Sequence, residues 1–123
     1  AGDHLALLDI DEAGVEALAA TLDRPDRRAI GVRCDVTSFA DCCGAIDRVV
    51  AELGGIDVLV NNAGRTHISL FAETSVDVLR RIMDINFFGA LHCTRAALSA
   101  LVARRGSIVV LSSVAGFAPL AGR

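Results

Sequence analysis

The 123-residue chain contains no lysine, no tyrosine and no tryptophan, and only two prolines. All 12 of its side chains counted as lysine or arginine are therefore arginine, and no proton relay built on a phenol or a lysine amine can come from within these residues. A net charge of −3 gives no basic footprint, so nucleic acid is not an expected partner. Cysteines 34, 42, 43 and 93 form no CxxC pair and no paired framework, which predicts reduced, buried thiols of a cytoplasmic protein. His4, His67 and His92 are scattered, so no metal site is expected. No basic segment followed by an apolar one opens the chain, so no signal peptide is read. The least charged stretch, 85–103, is about long enough to cross a membrane, yet Asn86, His92 and Arg95 fall inside it. A central arginine costs about 2.5–3.5 kcal/mol there, so a core helix is expected instead of a span.

What is present is apolar: 53% of residues are hydrophobic and the mean hydropathy is +0.51. That excess calls for elements buried on both faces, or for surface that meets a partner. The length suits one domain, 1–123.

Short β-rich runs alternate with helical periodicity. HLALLDI (4–10) and RRAIGVRC (27–34) read as strands, as do IDVLVNNAG (56–64) and SIVVL (107–111). Asp11 can cap a helix carrying Val15, Leu18, Ala19 and Leu22. Ser38-x-x-Asp41 resembles a capping box ahead of Ile46, Val49, Val50 and Leu53, and Gly54-Gly55 stops that helix. Thr74-x-x-Asp77 opens a further helix, and another runs from about Asp84 to Arg105 with Gly106 as its cap. Strand–helix alternation with strands apolar throughout predicts an α/β fold with a doubly wound parallel sheet, Rossmann-like, of about four strands. Ile108 to Leu111 is expected to be buried.

In such sheets ligands bind beyond the carboxyl ends of the strands. Asp9 ends the first strand and Asp35 follows the second; Asn61 to Gly64 end the third, and Ser112-Ser113 the fourth. Polar groups thus gather at one edge of an apolar layer. Each has a plain alternative: Asp9 can help start a helix, Asp35 can close a turn, and Asn and Gly suit loops. Asn86 is odd in an apolar helix, because a buried amide needs partners; pairing to backbone is the plain alternative.

The strand-end acid in LLDID (7–11), CDVTS (34–38), NNAG (61–64), DINFFGA (84–90) and GSIVVLSSVAG (106–116) occur in this order along the chain. In that order and spacing they resemble the short-chain dehydrogenases/reductases, and the resemblance covers essentially the whole chain. It implies a partial Rossmann-fold domain whose first strand and glycine-rich turn would precede Ala1. The family's YxxxK pair would follow Arg123, so the chain alone is expected to be inactive. It further implies hydride transfer between a nicotinamide cofactor and an alcohol or carbonyl substrate. Asp9 matches the residue at the adenosine ribose, where a carboxylate favours NAD over NADP. Asp35 and Val36 match the adenine contacts. Asn62, Ala63 and Gly64 match the backbone against the cofactor, while Asn61 is expected to tie neighbouring strands. Asn86 matches the asparagine that holds a water in the proton relay, and Ser113 the serine that donates to the substrate oxygen. The helix 84–105 would also form a homo-oligomer interface. The competing reading is a non-catalytic Rossmann-like module that binds a nucleotide or a partner helix.

Overall fold

The computed structural model of the chain describes residues 3–114 and residue 118. Strand β1 (Leu5–Asp9) leads through helix α1 (Glu12–Leu22) to β2 (Ala29–Arg33), and helix α2 (Phe39–Leu53) leads on to β3 (Val58–Asn61). A short 3-10 turn (Phe71–Glu73) precedes α3 (Val76–Met83), a π-helical turn (Asp84–Phe88) and α4 (Gly89–Arg104), and β4 (Ser107–Val110) closes the order. The fold is the expected α/β alternation of parallel strands. β1 pairs with β2, Leu7 opposite Gly31, and β3 pairs with β4, Leu59 opposite Ile108. Among the described residues the strands form two separate two-stranded sheets, and no ladder joins β1 to β3.

Local chemistry explains most of the helix ends. Asp11 accepts from the Gly14 amide and starts α1, and Ser38 accepts from the Asp41 amide and starts α2. Gly54 closes α2 in the left-handed conformation. Three expectations about the helix ends need correction. The N-cap of α3 is Ser75 rather than Thr74: Ser75 accepts from the Val78 amide, whereas Thr74 closes the preceding 3-10 turn. The two helices expected on either side of Asp84 are one continuous rod, Val76–Arg104, joined by the π turn, in which the Gly89 amide reaches back five residues to the Asp84 carbonyl.

The third correction is at the end of α4. Arg105, with φ 52°, takes the left-handed position expected of Gly106. The Gly106 amide then donates to Leu101 O at 2.8 Å and the Arg105 amide to Val102 O at 3.2 Å, the Schellman pattern. Gly106 is needed one residue later for a different reason. A Cβ there would stand 2.7 Å from the Asp57 carbonyl, where β4 enters beside β3. Arg105 carries the conformational cost, roughly 1–2 kcal/mol, so that Gly106 can make that approach.

The core lies where β2, α2 and α4 meet. Ile30, Val32 and Cys34 pack with Cys42, Ala45, Ile46 and Val49 of α2 and with Cys93, Ala97 and Leu101 of α4. Small residues at 45, 93 and 97 let the two helices approach closely. By length and composition the 76–104 rod could cross a membrane, but its Cys93–Ala97–Leu101 face is buried in the core against α2. Leu18, expected on the inner face of α1, is instead half exposed; Val15 and Ala19 are the buried pair. The run Ile108–Leu111 is also exposed, contrary to its composition.

Candidate functional site

The carboxyl ends of β2 and β3 both meet the first turns of α4. Beyond β2, the Val36 carbonyl bonds His92 Nδ1 at 3.0 Å. At the end of β3, Asn61 Nδ2 donates to Thr94 Oγ1 at 3.0 Å. The Asn61 side chain therefore ties its strand to α4, while its carbonyl, accepting from the Leu111 amide at 3.0 Å, ties it to the neighbouring strand β4 as expected. Because each strand pair is parallel, Asp9 stands at the same end as the residues after β2, and Ser113, three residues past Val110, at the same end as those after β3.

Asp9 is exposed, and its Oδ1 accepts from the Asp11 amide at 2.9 Å. One carboxylate oxygen thus helps to start α1. Asp35 is more heavily engaged: its Oδ1 accepts from the Thr37 amide at 3.0 Å and from the Thr37 hydroxyl at 2.7 Å. The hydroxyl first, then the amide, holds the Asp35 carboxyl below its ordinary range. The turn role anticipated for Asp35 is therefore real, and it fixes the backbone leading into Val36.

Asn62, Ala63 and Gly64 form an exposed loop after β3. Asn86 sits in the π turn and reads the backbone just past that loop. Its Oδ1 accepts from the Arg65 amide at 2.7 Å and its Nδ2 donates to the Arg65 carbonyl at 2.9 Å. The amide is satisfied on both sides by one residue 21 positions away, so the oddity of Asn in this helix has a partner. A Cβ on Gly64 would lie 3.6 Å from Asn86 Oδ1 and 3.7 Å from the Asn62 carbonyl, ordinary contact distances, so this position lies directly against Asn86. Ser113 is exposed and lies beyond the β4 ladder, whose last described bond runs from the Leu111 amide to Asn61 O. His67 is exposed in the loop after Gly64.

Beneath this edge lies a cluster of reduced thiols. Cys42 Sγ is 3.9 Å from Cys34 Sγ and 3.7 Å from Cys93 Sγ, and all three are buried. Burial pushes the Cys42 thiol up to about 12, and the Cys93 contact together with burial raises Cys34 further. They are packing groups, not nucleophiles. Among the described residues no cluster of His, Cys, Asp or Glu could hold a metal ion.

Sequence reading overlooked His92, Thr94 and Gly89 at this edge. The available signal was Gly89: a glycine inside an apolar helix costs about 1 kcal/mol and marks a close approach. A Cβ there would come within 2.7 Å of Val36 Cγ2.

The comparisons with known proteins converge. The family model for short chain dehydrogenases matches residues 1–123. 11-beta-hydroxysteroid dehydrogenase A of Arachis hypogaea is 42% identical over 122 residues, covering 96% of the chain and 34% of that protein. Oxidoreductase UcpA of Salmonella typhimurium is 38% identical, covering 94% of the chain and 44% of that protein. The structure of an NAD+-bound xylitol dehydrogenase superposes with a TM-score of 0.91 at 31% identity, over 98% of the chain and 47% of that chain. The chain thus spans between a third and a half of the length of these relatives.

Proposed function

The chain belongs to the short-chain dehydrogenases, a family of NAD(P)-dependent oxidoreductases, and from that premise we propose that the protein carrying it is an NAD(H)-dependent alcohol dehydrogenase or carbonyl reductase. One observation carries the reading furthest. The turn after β2, the loop after β3 and Asn86 are all fastened to the same rod, through His92, Thr94 and the π turn. Residues from three separate motifs therefore share one edge, where a doubly wound sheet binds dinucleotides.

The residues present suit such a ligand. Asp9 offers a carboxylate at the strand end for the ribose hydroxyls, and that charge disfavours a 2′-phosphate, which is the argument for NAD. Asp35 Oδ1 is committed to Thr37, so recognition of the adenine edge falls to Oδ2 and the Val36 amide. The exposed Asn62–Ala63–Gly64 backbone would line the cofactor, with no Cβ at Gly64 to hold it off. Bound nicotinamide supplies or accepts the hydride. Ser113 donates a hydrogen bond to the substrate oxygen as charge develops there. Asn86 spends its side-chain amide on Arg65 and so orients the loop, which leaves its backbone to hold the water of the proton relay.

The test uses the protein as its gene encodes it. NAD+ reduction is measured with a panel of secondary alcohols, and NADH oxidation with the matching carbonyls. Turnover with at least one pair is expected, and Ser113→Ala lowers kcat by about 10²–10³ while dinucleotide affinity holds within a few-fold. Dinucleotide binding without turnover on any pair would establish the non-catalytic module instead.

A further inference from the structure

We propose that His92 is a positioning residue for the adenine half of the dinucleotide, acting through Val36. The inference rests on the dinucleotide reading above and adds a residue to it. Val36 belongs to no helix or strand, yet it is held from two helices at once. Its carbonyl bonds His92 Nδ1 of α4 at 3.0 Å and accepts from the Cys42 thiol of α2 at 3.7 Å. Its side chain is gripped as well, because α4 approaches Val36 Cγ2 so closely at position 89 that only glycine fits. Gly89 and His92 are three residues apart and share one helix face. That face is shaped around Val36.

The imidazole is itself fixed. Phe39 tilts against it with ring centroids 5.7 Å apart, and the Arg95 guanidinium lies 5.6 Å over the Phe39 ring. A carbonyl can only accept, so Nδ1 carries the proton here; the neutral Nδ1–H tautomer and the imidazolium both provide it. The bond therefore does not depend on the charge of His92. On its other side the turn is held by Asp35 and Thr37. Asp35 fixes the turn from within, and His92 fixes it against the rod that also carries Asn86.

A histidine that merely satisfied the core would affect folding and every ligand alike. One that positions the turn affects only ligands that reach the turn. Titration calorimetry on the protein as its gene encodes it, with NAD+, AMP and nicotinamide mononucleotide as probes, separates the two. His92→Asn keeps an N–H near the Nδ1 position, His92→Gln moves it toward Nε2, and His92→Leu removes it. Leu and Gln are expected to weaken NAD+ and AMP about 5–10-fold and to leave the mononucleotide within twofold, with Asn restoring wild-type values. Should Leu fail to fold, the Asn–Gln contrast reads the same property. Equal weakening of all three probes, or variants that bind like wild type, overturns the role of His92 alone. A wild-type protein that binds no nicotinamide dinucleotide overturns the functional reading and this inference with it.

Discussion

The β1–β2 and β3–β4 sheets are the same device used twice, a parallel pair joined through helix, yet they are covered very differently. In β2, Ile30 and Val32 are 7% and 4% exposed; in β4, Val109 and Val110 are 45% and 63% exposed. Composition does not explain the contrast, since SIVV is at least as apolar as AIGVR. What differs is the cover. β2 lies against α1 and α2, and its inner residues join the core cluster, whereas no residue of β4 does. The same holds along the rod. Cys93, Ala97 and Leu101 are buried against α2, while Met83, Phe87, Leu91, Leu98 and Val102, on another face, are all 42% exposed or more. The half that carries Asp9, Asp35 and Val36 is packed. The half that carries Asn62, Asn86 and Ser113 presents bare apolar surface.

The largest effect should come from leaving that surface bare. The 123-residue chain expressed by itself is expected to aggregate or to be molten, because strand faces and unpaired ladder edges are both open to water. Dye binding to exposed apolar surface and collapsed amide dispersion are the expected signs. A monomer of the isolated chain with sharp, dispersed amide signals would show that β3–β4 needs no further cover. Loss of dispersion in 58–110 with retention in 5–53 would confine the deficit to the half that carries β3 and β4.

The exposed face of the rod sets the second prediction. We propose that it seats a second copy of the protein, since five large apolar side chains in one stripe exceed what single surface residues need. Leu98→Glu or Phe87→Glu, in the protein as its gene encodes it, is expected to convert the oligomer to monomer in sedimentation. Leu18→Glu on α1, half exposed in the packed half, serves as control and should leave the oligomer intact. A wild-type protein that sediments as a monomer removes the proposal.

The two halves also differ in how much could be read beforehand. Signals written in one or two neighbouring residues were legible: Asp11 and Ser38 as caps, Gly54 as a stop, and four apolar runs as strands. They are legible because the physics is local, a side-chain oxygen meeting an amide three residues on. The candidate site was legible as polar residues at strand ends, and as motifs only through their resemblance to a family's. Signals that depend on a distant partner were not. The π turn leaves no side-chain mark, and that Arg105 and not Gly106 takes the left-handed position shows only once Gly106 is seen against Asp57. Asn86 shows its purpose only once Arg65 is beside it, and His92 only once Val36 is. Composition stated that β4 suits burial, but whether anything covers it is a property of the assembled fold.

The smallest effect probes the seam between the halves, where Cys34 and Cys42 of the packed half meet Cys93 of the rod. In the unfolded chain a thiol releases its proton at a pKa of about 8.5. In the fold, burial raises Cys42 to about 12 and Cys34 rises as well. Above pH 8.5 the unfolded state therefore binds fewer protons than the native one, and stability must fall as pH rises toward the folded values. At neutral pH and below, both states are protonated and the thiols contribute no pH dependence. Denaturant unfolding at pH 8 and at pH 10 should differ by about 2 kcal/mol for each of the two raised thiols. Cys42→Ala lowers stability at both pH values through lost packing, but it should shrink the difference between them. If Cys42→Ala loses as much between pH 8 and pH 10 as wild type does, the seam is wetter than the buried Sγ contacts imply. The sharp boundary drawn between packed and bare halves would then have to be moved inward, onto α2.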